Sequence, residues 1–347
     1  MKVAVYTIAK NEEQFVERWY ESAKEADYLF ILDTGSEDNT AYLAQELGVV
    51  VDIKKVEPWR FDVARNHALD SLPEDIDICI ALDMDEVLVE GWRQELEKAY
   101  NDKVTRPRYE YTWSWKEDGS PGVVYGGDKI HSRHNYVWKH PVHEVLSCTD
   151  EETQGWYNIK IHHYPDSSKS RSQYLPLLEL SVQEDPEDDR NAYYYARELF
   201  FNRRYKEAAE EFKRHLSLPK AVWKPERAAS MRYLAKMENT QHWLFRAAAE
   251  CPNRREPWVD LSLFFYEKRN FAMSFACAEE ALKIQEKPLE YLCDEFAWGA
   301  IPYDLAAISA YNIGVFDKAK EYGQKACELS PTDKRLKTNL EWYNKQR

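Results

Sequence analysis

The sequence predicts an α/β domain built on a parallel sheet and, after it, an all-α domain of stacked helical repeats. Three observations carry this. Short apolar runs alternate with helix-period segments over the first hundred residues; Tyr, Trp, Val and His alternate with polar residues from Val104 to about Tyr164; and strand signals stop after about Ser167. A chain of 347 residues accommodates two domains, here 1–168 and 169–347. Apolar residues at 44% and aromatics at 14% suffice for real cores, and only 11 glycines favour helices over Gly-rich β architectures.

Each element follows from local pattern. Val3–Ile8 is a buried-strand run, and Glu12–Glu25 places Phe15, Val16, Trp19 and Ala23 at helical spacing. Tyr28–Leu32 reads as strand, ending in the turn Asp33-Thr34-Gly35-Ser36. Ser36 is the expected N-cap of a helix running to about Leu47, with Glu37 and Asp38 in its first turn, where the helix dipole favours acids. Gly48 stops it. Val49–Ile53 is strand, Phe61–Leu72 helix and Asp77–Leu82 strand. Parallel sheets of this kind bind ligands beyond the carboxyl ends of their strands. Those ends are Ala9–Glu12, Asp33–Gly35 and Asp83–Glu86, two of them acidic. From Val104 onward the alternation predicts antiparallel hairpins, with His131, His134, His140, His143, His162 and His163 in one stretch.

The second half repeats a template. NRRYKEAAEEFKRHL, KRNFAMSFACAEEAL and IGVFDKAKEYGQKACEL each put a small residue (Ala208, Ser274, Ala319) three positions after an aromatic (Tyr205, Phe271, Phe316). Helical pairs with small contact residues stack into solenoids. The pattern resembles tetratricopeptide repeats, with Lys287–Gly299 as an insertion and a polar last helix, Asp333–Lys345, as cap. Such repeats either bind a partner or brace the first domain.

Charge and cysteine usage narrow the class. With 47 basic and 61 acidic residues the net charge is −14, which disfavours an extended phosphate-binding surface and hence nucleic acid. No run approaches a membrane span, and MKVAVYTIAKNEE reads as a strand, not a signal peptide. Six scattered cysteines without CxxC suit reduced, mostly buried thiols, and the expected location is cytoplasmic.

Chemistry concentrates at Leu82-Asp83-Met84-Asp85-Glu86. Carboxylates just after a buried strand project into the sheet's crevice, where a hard divalent ion takes oxygen ligands and completes its shell with substrate phosphates. Asp85 is the expected direct metal ligand, and Asp83, nearer the strand, suits hydrogen bonds from a ribose. Acids that merely end a strand are the plain alternative. The histidines His131, His134 and His140, with Cys148, also admit a structural zinc reading.

VAVYTIAKNEE, LFILDTGSEDNT, FDVARNHAL and ICIALDMDE resemble, in order and spacing, the family 2 glycosyltransferases of the GT-A (Rossmann-like) fold. The resemblance implies a nucleotide-sugar donor, with Ile8, Ala9, Glu12 and Asp33 at the base, Arg65 at base or phosphate, and Asp83 and Asp85 at ribose and metal-bound diphosphate. KIHSRHNYVWKHPVHEVL and IKIHHYPD resemble the branch with a V-H-E motif before an I-x-H motif. That implies catalytic roles for His143 and Glu144 and a metal role for His163 beside Asp85, with Arg133 and Trp138 near family positions. The family's more familiar catalytic E-D pair has no clean counterpart here.

The resemblance implies an inverting transfer, and these residue types suit one that uses Mn²⁺ or Mg²⁺ to neutralise the leaving diphosphate. Glu144 is the expected base, its pKa raised in an apolar acceptor pocket or, alternatively, a structural partner of Arg133. His143 contacts donor or acceptor. Tyr109, Tyr111, Trp113, Trp115 and Trp138 are expected to face a sugar acceptor or to fill a β core. A hydroxyl on a saccharide or glycoconjugate, reached from a UDP-sugar, is the leading expectation. A peptide or protein acceptor bound by the repeats, and a non-catalytic repeat scaffold, are the alternatives.

Overall fold

The computed structural model describes residues 1–166 and 172–345 and divides into two compact units, Met1–Ser181 and Val182–Arg347. The division expected at 168/169 lies outside the described residues.

The first unit is a mixed α/β domain compatible with the Rossmann-like GT-A fold. It opens with β1 (Val3–Ala9), α1 (Val16–Ala23), β2 (Tyr28–Asp33), α2 (Thr40–Glu46), β3 (Val50–Ile53), α3 (Phe61–Asp70) and β4 (Ile78–Ala81). These four strands are parallel in the order β3-β2-β1-β4. Alternation along β1 sorts its side chains. Val3 and Val5 pack with Val16, Trp19 and Ala44 of α1 and α2, whereas Ala4 and Tyr6 pack with Ala64, Ala68 and Leu69 of α3. Helices therefore cover both faces, which is why β4 and, Thr7 apart, β1 are apolar.

After β5 (Glu86–Leu88) and α4 (Trp92–Asn101) come β6 (Arg106–Thr112), β7 (Val124–Gly127), β8 (Ile130–Ser132), β9 (Tyr136–Lys139), β10 (Val145–Cys148) and β11 (Gln154–His163). β8 adds antiparallel to β4, β9 and β10 form a hairpin, and β5-β11-β6-β7 make a second sheet. One expectation needs correction: β6 and β11 pair in parallel, because the segment between them crosses back through the first sheet as β8 instead of returning as a hairpin.

The helix expected from Ser36 starts instead at Thr40. The Ser36 hydroxyl accepts from Asn11 N (2.9 Å), and Glu37 N donates to Asn11 Oδ1 (2.8 Å), so the groups that would begin a helix tie two loops together. Asp38 instead accepts from Thr40 N at 3.0 Å.

The second unit is all-helical and repeat-like. α5 (Tyr174–Glu184) crosses the division; it is followed by α6 (Asp189–Phe201), α7 (Tyr205–Ser217), α8 (Lys224–Glu238), α9 (Gln241–Glu250), α10 (Arg255–Glu267), α11 (Phe271–Lys283), the short α12 (Glu295–Trp298), α13 (Ile301–Asn312), α14 (Phe316–Leu329) and α15 (Lys334–Asn344). The template aromatics Tyr205, Phe271 and Phe316 each begin a helix, and Ala208, Ser274 and Ala319 are fully buried at the helix contacts. Gly323 of α14 is required by a close approach: a Cβ there would stand 2.8 Å from the Tyr343 ring of α15. Among the described residues no helix is long and apolar enough to cross a membrane, and all six cysteines are unpaired.

Candidate active site

The crevice lies beyond the carboxyl ends of β1, β2 and β4. Leu82 prolongs β4, its N–H donating to Tyr6 O (3.1 Å) while its carbonyl accepts from Trp19 Nε1 (2.9 Å). The chain then turns sharply. Glu86 N donates to Asp83 O, and Asp83 N donates to Glu86 Oε2, both at 2.9 Å. The turn presents Asp83 and Asp85 to the crevice and buries Glu86.

Asp33 ends β2 fully buried. Its Oδ1 accepts from Gly35 N (2.8 Å) and Ser36 N (2.7 Å) in a loop that Gly35, at φ 109°, lets turn back. Its Oδ2 is buried and has no hydrogen-bond partner among the described residues. An acceptor in that condition costs stability unless a ligand donor satisfies it. On the adjoining β1 loop Ile8 is half-buried, and Ala9 O accepts from Thr34 N (2.9 Å) and Oγ1 (3.0 Å). Glu12 is buried and its N–H donates to Thr40 Oγ1 at 2.7 Å.

Arg65, on α3 and 4% exposed, is the electrostatic centre. Its Nε donates to Glu144 Oε1 (2.5 Å), its Nη2 to Asp83 Oδ1 (2.7 Å), and its guanidinium lies 4.9 Å from the centre of the Trp138 ring. Nη1 is buried without a partner among the described residues, the one nitrogen of this group left for a ligand. The β9–β10 hairpin is held on α3 by paired bonds between Asn66 and the Trp138 backbone, each 2.8 Å, and this delivers Glu144 to Arg65. Within the hairpin turn His140 and His143 adopt left-handed backbone, at φ 79° and 51°. His143 is half-buried, with its ring edge-on to Tyr174 at 5.5 Å.

Lys129 was invisible to sequence reasoning. It precedes β8, which pairs with β4, and its backbone carbonyl accepts from Ala81 N at 3.0 Å. Its ammonium thereby reaches Asp83 Oδ2 (2.6 Å) and Glu86 Oε1 (3.2 Å). Burial raises the Asp83 pKa, but Arg65 and Lys129 outweigh it and hold the carboxyl well below the ordinary range. Burial keeps the Glu86 pKa raised in spite of Lys129, and Tyr111 OH donates to Glu86 at 2.7 Å.

His163 ends β11, and the β11–β5 register sets it opposite Glu86, beside the acidic turn. Its Nε2 lies 3.3 Å from Asp85 Oδ2, and its Nδ1 pairs with Trp113 O at 2.9 Å. Burial lowers the His163 pKa, yet the bonds to Asp85 and Trp113 raise it overall. Protonated, His163 completes an ion pair with Asp85, and a metal held there would take the place of that proton. With its second nitrogen anchored to a carbonyl, His163 is oriented as metal-bound imidazoles are. No third His, Cys, Asp or Glu joins these two at ligand distance among the described residues.

Two expectations are corrected. Glu144 sits against the Arg65 guanidinium, not in an apolar pocket, and Arg133 instead donates to Leu72 O (2.9 Å) and Pro73 O (3.3 Å). Of the five aromatics, Tyr109, Tyr111 and Trp138 are core residues; Trp113 is exposed and stacked on His163 at 4.3 Å, and Trp115 stacks on Tyr164. The zinc reading also finds no support in position. His131 is buried between Tyr6 OH (3.0 Å) and Ser132 O (2.7 Å), whereas His134 is exposed.

Residues 4–171 match the family described as Glycosyl transferase family 2. Among solved structures, glucosyl-3-phosphoglycerate synthase from Mycobacterium tuberculosis, in complex with Mn²⁺, uridine diphosphate and glucosyl-3-phosphoglycerate, is similar at 23% identity and TM-score 0.27, over 32% of this chain and 44% of that one. A tetratricopeptide repeat protein from Parabacteroides merdae is similar at 16% identity and TM-score 0.33, over 49% and 63%. A thermophilic tetratricopeptide repeat protein from Thermus thermophilus is similar at 17% and TM-score 0.32, over 49% and 88%. No curated protein matches the sequence.

Proposed function

We propose that this chain, an enzyme of the glycosyltransferase family by its N-terminal half, transfers a sugar from a UDP-sugar to a hydroxyl of a saccharide or glycoconjugate, with inversion at the anomeric carbon. The reading takes the domain as GT-A, of the branch carrying Val142-His143-Glu144. One observation carries it: a single buried guanidinium, Arg65, holds Asp83 and Glu144 at once, so a donor-side and an acceptor-side carboxylate flank one cation.

In this reading the uncompensated Asp33 Oδ2 accepts from the base, between the Ile8–Glu12 loop and the Asp33 turn. Asp83 faces the ribose, and Arg65 Nη1 donates to the diphosphate. Asp85 and His163 hold Mn²⁺ or Mg²⁺, which when bound supplies the charge that stabilises the leaving diphosphate. Glu144 takes the acceptor hydroxyl proton as the hydroxyl attacks; a single displacement requires one base and no enzyme nucleophile. While it pairs with Arg65 the Glu144 carboxylate is engaged, and drawing the guanidinium toward the diphosphate frees it for the acceptor hydroxyl only when donor is bound. His143 and the exposed face of Trp113 border the acceptor. Six unpaired thiols support a reducing, cytoplasmic setting.

The test is turnover of UDP-glucose, UDP-N-acetylglucosamine and GDP-mannose with and without Mn²⁺, in the wild type and Asp85→Ala. Mn²⁺-dependent release of UDP that Asp85→Ala abolishes is the expected result. Release that is indifferent to both the metal and Asp85 would overturn the metal assignment, and release from the GDP-sugar alone would overturn the donor.

A further inference from the structure

The second unit contains a cluster that the transfer reaction does not use. Asp189 is the first residue of α6, His215 lies in the last turn of α7 and Glu226 in the first turn of α8. α6 and α7 form an antiparallel pair, so the start of one meets the end of the other, and the 218–223 connection brings the start of α8 to the same point. One ligand atom from each residue lies within 4.8 Å of the others, the one such group of three among the described residues.

The condition of His215 points to a ligand. The residue is completely buried, its Nδ1 pairs with Ser230 Oγ at 2.9 Å, and its Nε2 is buried with no hydrogen-bond partner among the described residues. An imidazole with one nitrogen anchored to an oxygen and the other left bare is the arrangement found for metal-ligating histidines. Glu226 is also buried, and one of its oxygens accepts from Tyr291 OH. Asp189 is half-exposed on the rim, where its side chain is able to close over an ion.

We propose that Asp189, His215 and Glu226 bind one divalent transition-metal cation, zinc by ligand preference, and so staple three successive helices of the C-terminal unit. One imidazole nitrogen and two carboxylates are ligands that zinc accepts at about 2.0–2.2 Å. Tetrahedral ligands at that distance stand roughly 3.4 Å apart, so the cluster closes by about an ångström, chiefly at Asp189. Burial brings His215 down to about 4, leaving it neutral as a ligand must be, and pushes Glu226 up to about 7, a penalty that a cation relieves. The cationic neighbours oppose an ion only in part. Arg214 and Arg227 are paired with Glu211 (2.7 Å) and Glu250 (2.8 Å), and Arg190 lies over the Tyr194 ring at 4.8 Å.

The test uses the full chain carrying Asp85→Ala, so that the crevice does not contribute a site. Zinc retained after dialysis into metal-free buffer is counted, and its affinity is read by competition with a chromophoric chelator. One equivalent is expected, with His215→Gln and Asp189→Asn each weakening it at least tenfold while circular dichroism is unchanged. If His215→Gln does not fold, Asp189→Asn at the half-exposed rim decides alone. No retained zinc, or a folded variant that weakens binding less than tenfold, would overturn the site.

Discussion

Arg65 donates from Nε to Glu144 at 2.5 Å, joining residues that lie on α3 and on the β9–β10 hairpin turn. Asp83 accepts from the same guanidinium and is also held by Lys129. Removing Arg65 therefore strands Glu144 more than Asp83. Breaking one partner of a buried pair costs about 3–5 kcal/mol, and because Asp83 keeps Lys129 the lower end applies to Arg65→Ala. Urea unfolding should show a loss of about 3 kcal/mol. Arg65→Lys should recover much of the stability but little activity, since an ammonium cannot fork between two carboxylates.

Glu144→Gln keeps a hydrogen-bond acceptor for Arg65 but cannot take a proton. Donor affinity, read by UDP titration calorimetry, should stay within a few-fold of wild type. Transfer should fall by about 10²–10⁴, the span of general-base contributions. A variant with full activity would remove Glu144 from the base role.

Asp33→Asn separates turn from ligand. The retained oxygen still accepts from Gly35 and Ser36, while the unpartnered oxygen becomes an amide donor. UDP binding should weaken at least about tenfold, or 1.4 kcal/mol, with the melting temperature nearly unchanged.

His131 sets a pH dependence. Burial brings its pKa down to about 3, against about 6.5 in the unfolded chain. Between those values the unfolded state binds the proton and the folded state does not, so stability is complete above pH 6.5 and is lost as pH falls toward 3. The slope approaches about 1.4 kcal/mol per pH unit. His131→Gln, which lacks that titration, should flatten the fall in urea midpoint between pH 6.5 and 5 relative to wild type.

Gly127 faces the buried Tyr109 ring so closely that an added Cβ would overlap it. Gly127→Ala should cost about 1–3 kcal/mol by overpacking. Because Lys129 N donates to Tyr109 OH at 3.4 Å, displacement of the ring also disturbs the lysine that holds Asp83. Chemical denaturation and UDP affinity should fall together.

Much of the fold was legible because the patterns are local. The buried runs of β1 and β4, the helical spacing of Phe15, Val16, Trp19 and Ala23, and the small residues after Tyr205, Phe271 and Phe316 all appear as read. The Ser36 cap was misread because its hydroxyl serves a loop 25 residues away. The parallel β6–β11 pair was missed because alternation reports which face a residue occupies and not which strand lies alongside.

Of the candidate site, the sequence by itself marked the acids by their position at the strand ends, and the arginine of α3 and the histidine ending β11 by the resemblance of their motifs to the glycosyltransferase family. Only the tertiary structure decided which charge meets which. Arg65 and not Arg133 holds Glu144, Lys129 reaches Asp83 from 46 residues downstream, and His163 stands beside Asp85 from 78 residues away. Pairings of that kind are fixed by strand register and by a hairpin docked on a helix, and long-range register leaves no periodic trace in the chain that carries it.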